Sequence, residues 1–164
     1  MKKFLLTLSA VLCLIAYANL AVGQDWVEIK DDKFGLRMLV PSMMKLAAKD
    51  FGKGWGGLYG ALKPVEMSVV AQLGNFPADT DMEAFAVIVT EIPANAWTLV
   101  DKGENQGGWK WWKTYHATDG KLSVFAVLGH GPKGSYIVFL KTTNADLQAN
   151  QAAYAKWYAN IVLY

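Results

Sequence analysis

Two histidines, His116 and His130, are the side chains of this sequence best suited to moving a proton near neutral pH or to binding a transition metal. A zinc site built without thiolates needs both of them together with carboxylates. The only cysteine, Cys13, lies in an apolar N-terminal stretch. His116 falls near the end of one alternating run, whereas His130 sits between Gly129 and Gly131, so the two are expected at opposite ends of their strands. No metal site is expected from them. His130 remains a candidate for contact with a ligand, or for a general base paired with Glu104 or Asp101, although nothing in the sequence places these groups together. The few serines lack a Gly-x-Ser-x-Gly elbow and an associated acid and histidine. Gly131-Pro132-Lys133-Gly134-Ser135 lacks the Gly-Lys-Ser/Thr ending of a phosphate loop, and its proline removes an amide donor. Asp79, Asp81 and Glu83 match a helix N-terminus better than a calcium loop, and Met43-Met44 has no histidine partner that would suggest copper. No catalytic constellation and no cofactor are expected.

What chemistry the chain does advertise is aromatic. In Trp109-Lys110-Trp111-Trp112-Lys113-Thr114-Tyr115, strand alternation assigns Trp109, Trp111, Lys113 and Tyr115 to one face and Lys110, Trp112, Thr114 and His116 to the other. If the first face is buried beneath a helix, Trp112 becomes an amphipathic ring among polar neighbours and a binding anchor. If helices cover both faces, Trp112 is packed as well. A second aromatic candidate is the glycine-rich segment in which Gly52, Gly54, Gly56, Gly57 and Gly60 surround Trp55 and Tyr59. It is expected to be a mobile loop that presents both rings.

The elements that must carry these residues follow from periodicity. Trp26 to Ile29 and Phe34 to Val40 alternate about an Asp31-Asp32 turn and predict a hairpin closed by Pro41, after which residues 42–54 read as irregular or briefly helical. Val65 to Leu73 alternates, with Val65, Met67, Val69 and Ala71 on one face. Thr80-Asp81-Met82-Glu83 has the form of a capping box, and Met82, Phe85, Ala86 and Val89 continue at helical spacing until Pro93. Trp109–Thr118 and Lys121–Leu128 flank Asp119-Gly120, a hairpin signal, and Ser135–Lys141 adds a third strand to an antiparallel meander. From about Asn144 a helix is predicted with Leu147, Gln151, Tyr154, Trp157, Tyr158 and Ile161 along one stripe.

The expected fold class is therefore α+β: a mainly antiparallel sheet with a long C-terminal meander, flanked by a middle helix and a C-terminal helix as an α/β/α sandwich. The order of these elements resembles the PsbP-like fold. The features that carry the resemblance are the hairpin ending Leu39-Val40-Pro41, the glycine-flanked Trp55, the helix after Thr80, the meander with Gly134-Ser135-Tyr136-Ile137-Val138-Phe139-Leu140, and the final helix. That fold is shared by extrinsic photosystem proteins, a Ran-binding nuclear import factor and DcrB-like periplasmic proteins. The resemblance implies a non-enzymatic domain that binds a protein or small ligand, and it carries over no functional residue.

Met1-Lys2-Lys3, the apolar run from Phe4 to about Ala18 and the small residues Ala21 and Gly23 have the layout of a secretory signal, placing the expected boundary after residue 23. Residues 24–164 then form a single domain: 164 less 23 leaves 141 residues, enough for one core. Processing would remove Cys13, so the domain is expected to lack thiols and disulfides. Of 16 basic residues Lys2 and Lys3 would also leave, so that 14 face 14 acidic ones. A neutral balance gives no reason to expect nucleic acid as a partner, and no later segment is apolar for long enough to span a membrane. The expectation is an exported, periplasmic or secreted binding or accessory protein of the cell envelope, with Trp55, Tyr59, Trp112 and His130 as its candidate contact residues.

Overall fold

The computed structural model describes residues 25–164, so the signal segment and Cys13 lie outside the described residues. Strands β1 (Trp26–Asp31) and β2 (Leu36–Pro41) form the expected antiparallel hairpin, with the Asp31 carboxylate accepting the Phe34 N–H at 2.9 Å to hold the turn. Leu36, Met38 and Val40 are buried on one side of β2. The hairpin stays apart from the main sheet. It recruits the short strand β10 (Val162–Leu163) beside β2 to make a separate three-stranded sheet.

The main sheet has seven strands in the order β3 (Ala47–Gly52), β4 (Trp55–Leu62), β5 (Val65–Leu73), β9 (Gly134–Thr143), β8 (Leu122–His130), β7 (Trp109–Thr118) and β6 (Trp97–Gln106), with every described pair antiparallel. Its middle is β5 (Val65–Leu73), β9 (Gly134–Thr143) and β8 (Leu122–His130). In β9, Ser135 to Leu140 is buried without interruption, as a strand covered on both faces must be. Helix α1 (Asp79–Thr90) lies on one face. Met82, Phe85 and Ala86 pack there on Val70, Ile137, Phe139, Ala126 and Leu128. Helix α2 (Asn144–Ala159) and the small sheet cover the other, with Trp157 and Tyr154 against Met67, Val69, Val138 and Leu140. The fold is α+β with a helix on each side of an antiparallel sheet.

Three expectations need correction. Residues 47–62 are not an irregular stretch and a mobile loop but a strand pair, β3 (Ala47–Gly52) and β4 (Trp55–Leu62), turned through Gly52, Lys53 and Gly54, all at positive φ. Glycine serves close approach here: a Cβ on Gly57 would lie 1.7 Å from the Val69 carbonyl oxygen, and one on Gly60 would lie 2.6 to 2.9 Å from Leu46, Lys45 and Met44. The capping box does not form either. Ala78 is the N-cap of α1 without a side-chain bond, and Glu83 is drawn to cationic and phenolic partners on the sheet instead. Lastly, β6 (Trp97–Gln106) is an additional strand, nearly all exposed, that edges the sheet beside β7 (Trp109–Thr118).

Smaller differences sit at the element ends. The β7–β8 hairpin closes at Thr118 and Ser123, wider than a two-residue turn, and the Asp119 carboxylate accepts the N–H groups of both Lys121 and Leu122 at 2.8 Å. Helix α2 kinks at Asn150, and Gln151 is exposed while Leu147, Asn150, Tyr154 and Trp157 are buried. Thr143 caps it by accepting the Asp146 N–H at 3.2 Å.

Candidate binding surface

Alternation along β7 sends Trp111, Lys113 and Tyr115 toward the α1 face and Trp112, Thr114 and His116 toward the α2 face. Trp109, first after the Gly107-Gly108 turn, departs from the pattern: it is buried on the α2 side, edge-on to Tyr136, and donates its indole N–H to the Ile161 carbonyl at 3.4 Å. Both faces of the aromatic strand are thus engaged.

On the α1 face, the Lys113 ammonium bridges Asp79 and Glu83 at 3.0 Å each, and Tyr115 donates its hydroxyl to the same Glu83 oxygen. The carboxylates of Asp79 and then Glu83 hold the Lys113 ammonium protonated above its ordinary range. Burial, reinforced by the bond to Glu83, pushes the Tyr115 phenol up to about 12. A cavity opens on each side of this network. One of about 390 Å³ is bordered by Asp79, Lys102, Glu104, Trp111, Trp112 and Lys113. The other, of about 340 Å³, lies between α1 and β6 and is lined by Glu83, Ala84, Val87, Ala94, Trp97 and Tyr115. Beside it the apolar side chains of Ile88 on α1 and Leu99 and Val100 on β6 are 55%, 46% and 58% exposed. Strand pairing slips at Val100, between Leu99 and Asp101.

On the α2 face a third cavity, of about 250 Å³, lies between the β6–β7 hairpin and the C-terminal end of α2, walled by Trp109, Trp112, Tyr158 and Ile161 with Asp101 and Gln106 among its polar groups. Trp112 is half-buried there, its ring edge-on to Tyr158 at 6.4 Å and lying across Gly103, where a Cβ would meet the indole at 2.6 Å. Its cross-strand neighbour has no side chain, so the ring fills that place.

The four residues singled out from the sequence do not converge. Trp55 is 5% exposed and stacks on Phe85 at 5.0 Å, so its ring belongs to the core beneath α1. Tyr59 is half-buried in β4 with the Lys49 ammonium 4.5 Å above its ring; burial raises its phenol. Both lie four strand spacings, about 19 Å, from β7. His130 is the last residue of β8, not a loop residue. Its Nε2 lies 3.0 Å from the Pro77 carbonyl oxygen, a bond that requires the proton on Nε2, and its ring packs between Trp111 at 4.7 Å and Phe76 at 5.3 Å.

The pairing of His130 with a carboxylate is not made. Glu104 stands opposite Trp111, which in turn stands opposite His130, so the indole separates them by two strand spacings, about 10 Å. Asp101 opens onto the other face. His116 stacks on Phe125 at 4.9 Å, and burial lowers its pKa. Among the described residues no three His, Cys, Asp or Glu side chains are grouped to hold a metal ion.

Sequence reasoning missed the Lys113, Asp79, Glu83 and Tyr115 cluster as well as the contributions of Trp97 and Tyr158, and it offered Asp101 to His130 where the structure sets it at the α2-side cavity. Two signals for the cluster were present: alternation puts Lys113 on the face of Trp111 and Tyr115, and α1 begins with acidic residues.

No protein-family model matches the chain, and no curated protein matches it by sequence. Among solved structures it is similar to the cyanobacterial PsbP (CyanoP) of Synechocystis sp. PCC 6803, with a TM-score of 0.57 and 14% identity over 86% of this chain and 94% of that one. A Pseudomonas aeruginosa protein described as of unknown function and a putative regulator aligns with a TM-score of 0.35 and 18% identity, over 79% of this chain and 91% of its own. At such identity the likeness to the cyanobacterial protein is one of backbone architecture, and the fold of this chain is PsbP-like.

Proposed function

We propose that this chain is an exported, non-catalytic binding or accessory protein of the bacterial cell envelope, and that it engages its partner or ligand through the β6–β7 end of the main sheet. The observation that carries the reading is the convergence of three cavities on that end, with Trp112 bordering two of them. Concave surface lined by aromatic rings with a few polar groups is the usual form of a recognition site. The middle of the sheet, β5, β9 and β8, is occupied by its own core. Both histidines are engaged in packing, and His130 has no carboxylate from Glu104 or Asp101 beside it. Export rests on the N-terminal pattern, and among the described residues no helix is long and apolar enough to cross a membrane.

The test is site-specific photocrosslinking in the native cell, with the crosslinker at Leu99 or Lys110 on this end and at Lys49 on the distant β3 edge. Discrete adducts are expected from the first two positions and not from Lys49. Equal labelling from all three, or none from Leu99 and Lys110, removes the β6–β7 end as the working surface. Cell fractionation with mass determination of the processed chain tests export, which fails if residues 1–23 are retained in the cytoplasm.

A further inference from the structure

We infer that the α2-side cavity is a binding site for a small organic cation of the alkylammonium class. The inference deepens the reading above by naming the ligand chemistry of one part of the β6–β7 end. Three aromatic side chains, Trp109, Trp112 and Tyr158, border a space of about 250 Å³. That is below the range for drug-sized ligands and suited to a smaller one. Aromatic walls attract a cation through the negative faces of their rings, and an alkylated ammonium also places apolar carbon against them.

The charge of the cavity points the same way. Asp101 is its one ionisable carboxylate, and no lysine or arginine lines it. Among the described residues Asp101 makes no ion pair with a protein cation, and its carboxylate accepts the neighbouring Lys102 backbone N–H at 2.8 Å. Tyr158 and Ala159 bring the C-terminal end of helix α2 to the same wall; the carbonyl end of a helix carries partial negative charge, and Lys156 in that last turn does not line the cavity. Thr114, the cross-strand partner of both Asp101 and Val127, is buried with its hydroxyl unpartnered. An anion would meet a carboxylate and a helix C-terminus with no lysine or arginine in the lining to offset them. A neutral apolar ligand would gain the rings but leave the carboxylate unused. An organic cation uses both the rings and the carboxylate.

Choline, with its neutral isostere 3,3-dimethylbutanol as control, probes the site directly in the mature protein. The indole N–H signals of Trp109 and Trp112 in NMR spectra report on two of its walls. Choline is expected to shift both signals saturably and to bind about tenfold more tightly than the isostere. Asp101→Asn, a change at an exposed residue that spares the core, should weaken choline several-fold and leave the isostere unchanged. Trp112→Leu should weaken both. Equal binding of choline and isostere, an unchanged choline affinity in Asp101→Asn, or no saturable shift with choline overturns the cation assignment. These outcomes leave photocrosslinking from Leu99 and Lys110 untouched, so failure here and failure of the β6–β7 end as a binding surface are separate results.

Discussion

Gly57 offers the most direct check on the strand pair that replaces the expected loop. In β4 it stands opposite Val70, and an alanine Cβ there would lie 1.7 Å from the Val69 carbonyl oxygen, 2.8 Å from its carbonyl carbon and 3.2 Å from the Val70 Cα. All three are backbone atoms of β5, a strand held on its other side by β9, so no flexible side chain can move aside. Relief requires β4 and β5 to separate locally, which strains or breaks their ladder. Overpacking in a well-filled core costs about 1 to 3 kcal/mol, and a backbone clash of this depth belongs at the top of that range, about 3 kcal/mol. For a domain of this size that lowers the melting temperature by about 10 °C. Gly56, one residue earlier in the same strand, is the internal control. The nearest atom to its Cβ is the Lys49 carbonyl oxygen at 3.9 Å, so Gly56→Ala should be neutral or stabilising by up to about 0.5 kcal/mol through reduced freedom of the unfolded chain. Urea unfolding followed by tryptophan fluorescence measures both. If Gly57→Ala lies within 1 kcal/mol of wild type, the close approach of β4 to β5 is wrong and the segment behaves as the flexible loop suggested by its composition.

Two further substitutions address the polar clusters. Glu83→Gln should cost about 1 kcal/mol near neutral pH, because Lys113 loses its partly exposed pair with Glu83 but keeps Asp79, and the bond from Tyr115 is weakened. The same variant has a distinctive alkaline behaviour. The Tyr115 phenol, ordinarily near 10, is held at about 12, so the folded state retains a proton that the unfolded chain has lost, and stability falls as pH rises from 10 through 12. Lys113, raised mainly by Asp79 and next by Glu83, contributes with the same sign. In Glu83→Gln the loss should be shallower, as read by denaturation midpoints across that interval; an unchanged slope contradicts the coupling. On the other face, the Asp146 carboxylate accepts from Thr142 at 2.7 Å, from Asn150 at 3.0 Å and from the Tyr154 hydroxyl. Asp146→Ala strands the hydroxyls of two buried residues and should cost about 2 to 3 kcal/mol, whereas Tyr154→Phe leaves Asp146 two donors and should cost about 1 kcal/mol. Equal costs in chemical denaturation would dissolve the claimed network.

How far the fold was legible depended on whether each strand has an inside. β1 and β2, β5 and the β7 to β9 meander alternate or run continuously apolar because one or both of their faces meet a core, and the two helices show their stripes for the same reason. β6 has almost no buried residue, so its sequence, Trp97-Thr98-Leu99-Val100-Asp101-Lys102, carries little period to find. Such an edge strand is specified by the neighbour it pairs with. β3 and β4 were hidden by glycine, which argues against a strand by propensity yet is required wherever two backbones approach as closely as at Gly57 and Gly60. The Thr80 to Glu83 box failed because a local signal was outbid by a tertiary one: Lys113 and Tyr115 together offer Glu83 more than a free backbone amide does.

The aromatic strand shows why the binding surface was harder to read than the fold. A period of two states which of Trp111 and Trp112 share a face with which neighbours, and the structure keeps that division: Trp111 with Lys113 and Tyr115 beneath α1, Trp112 with Thr114 and His116 on the α2 side. It does not state how far along the sheet each helix reaches. In the middle of the sheet both faces are covered, and on β4, one strand in from the β3 edge, α1 still reaches far enough for Trp55 to be consumed by the core against Phe85. At β6 and β7 the cover runs out, so rings on either face remain half-exposed and the spaces beside them stay open. The extent of cover at a ring's position, and not which face it occupies or its distance from an edge alone, therefore separates the packing aromatics from the candidate contact residues. That position depends on strand order, which is set by long-range pairing and by an edge strand with little pattern of its own. The same reasoning explains why Trp112 remains a candidate contact while Trp55 becomes core: both lie on the strand next to an edge, but Trp55 is stacked under α1 against Phe85, whereas Trp112 is half-buried beside open space.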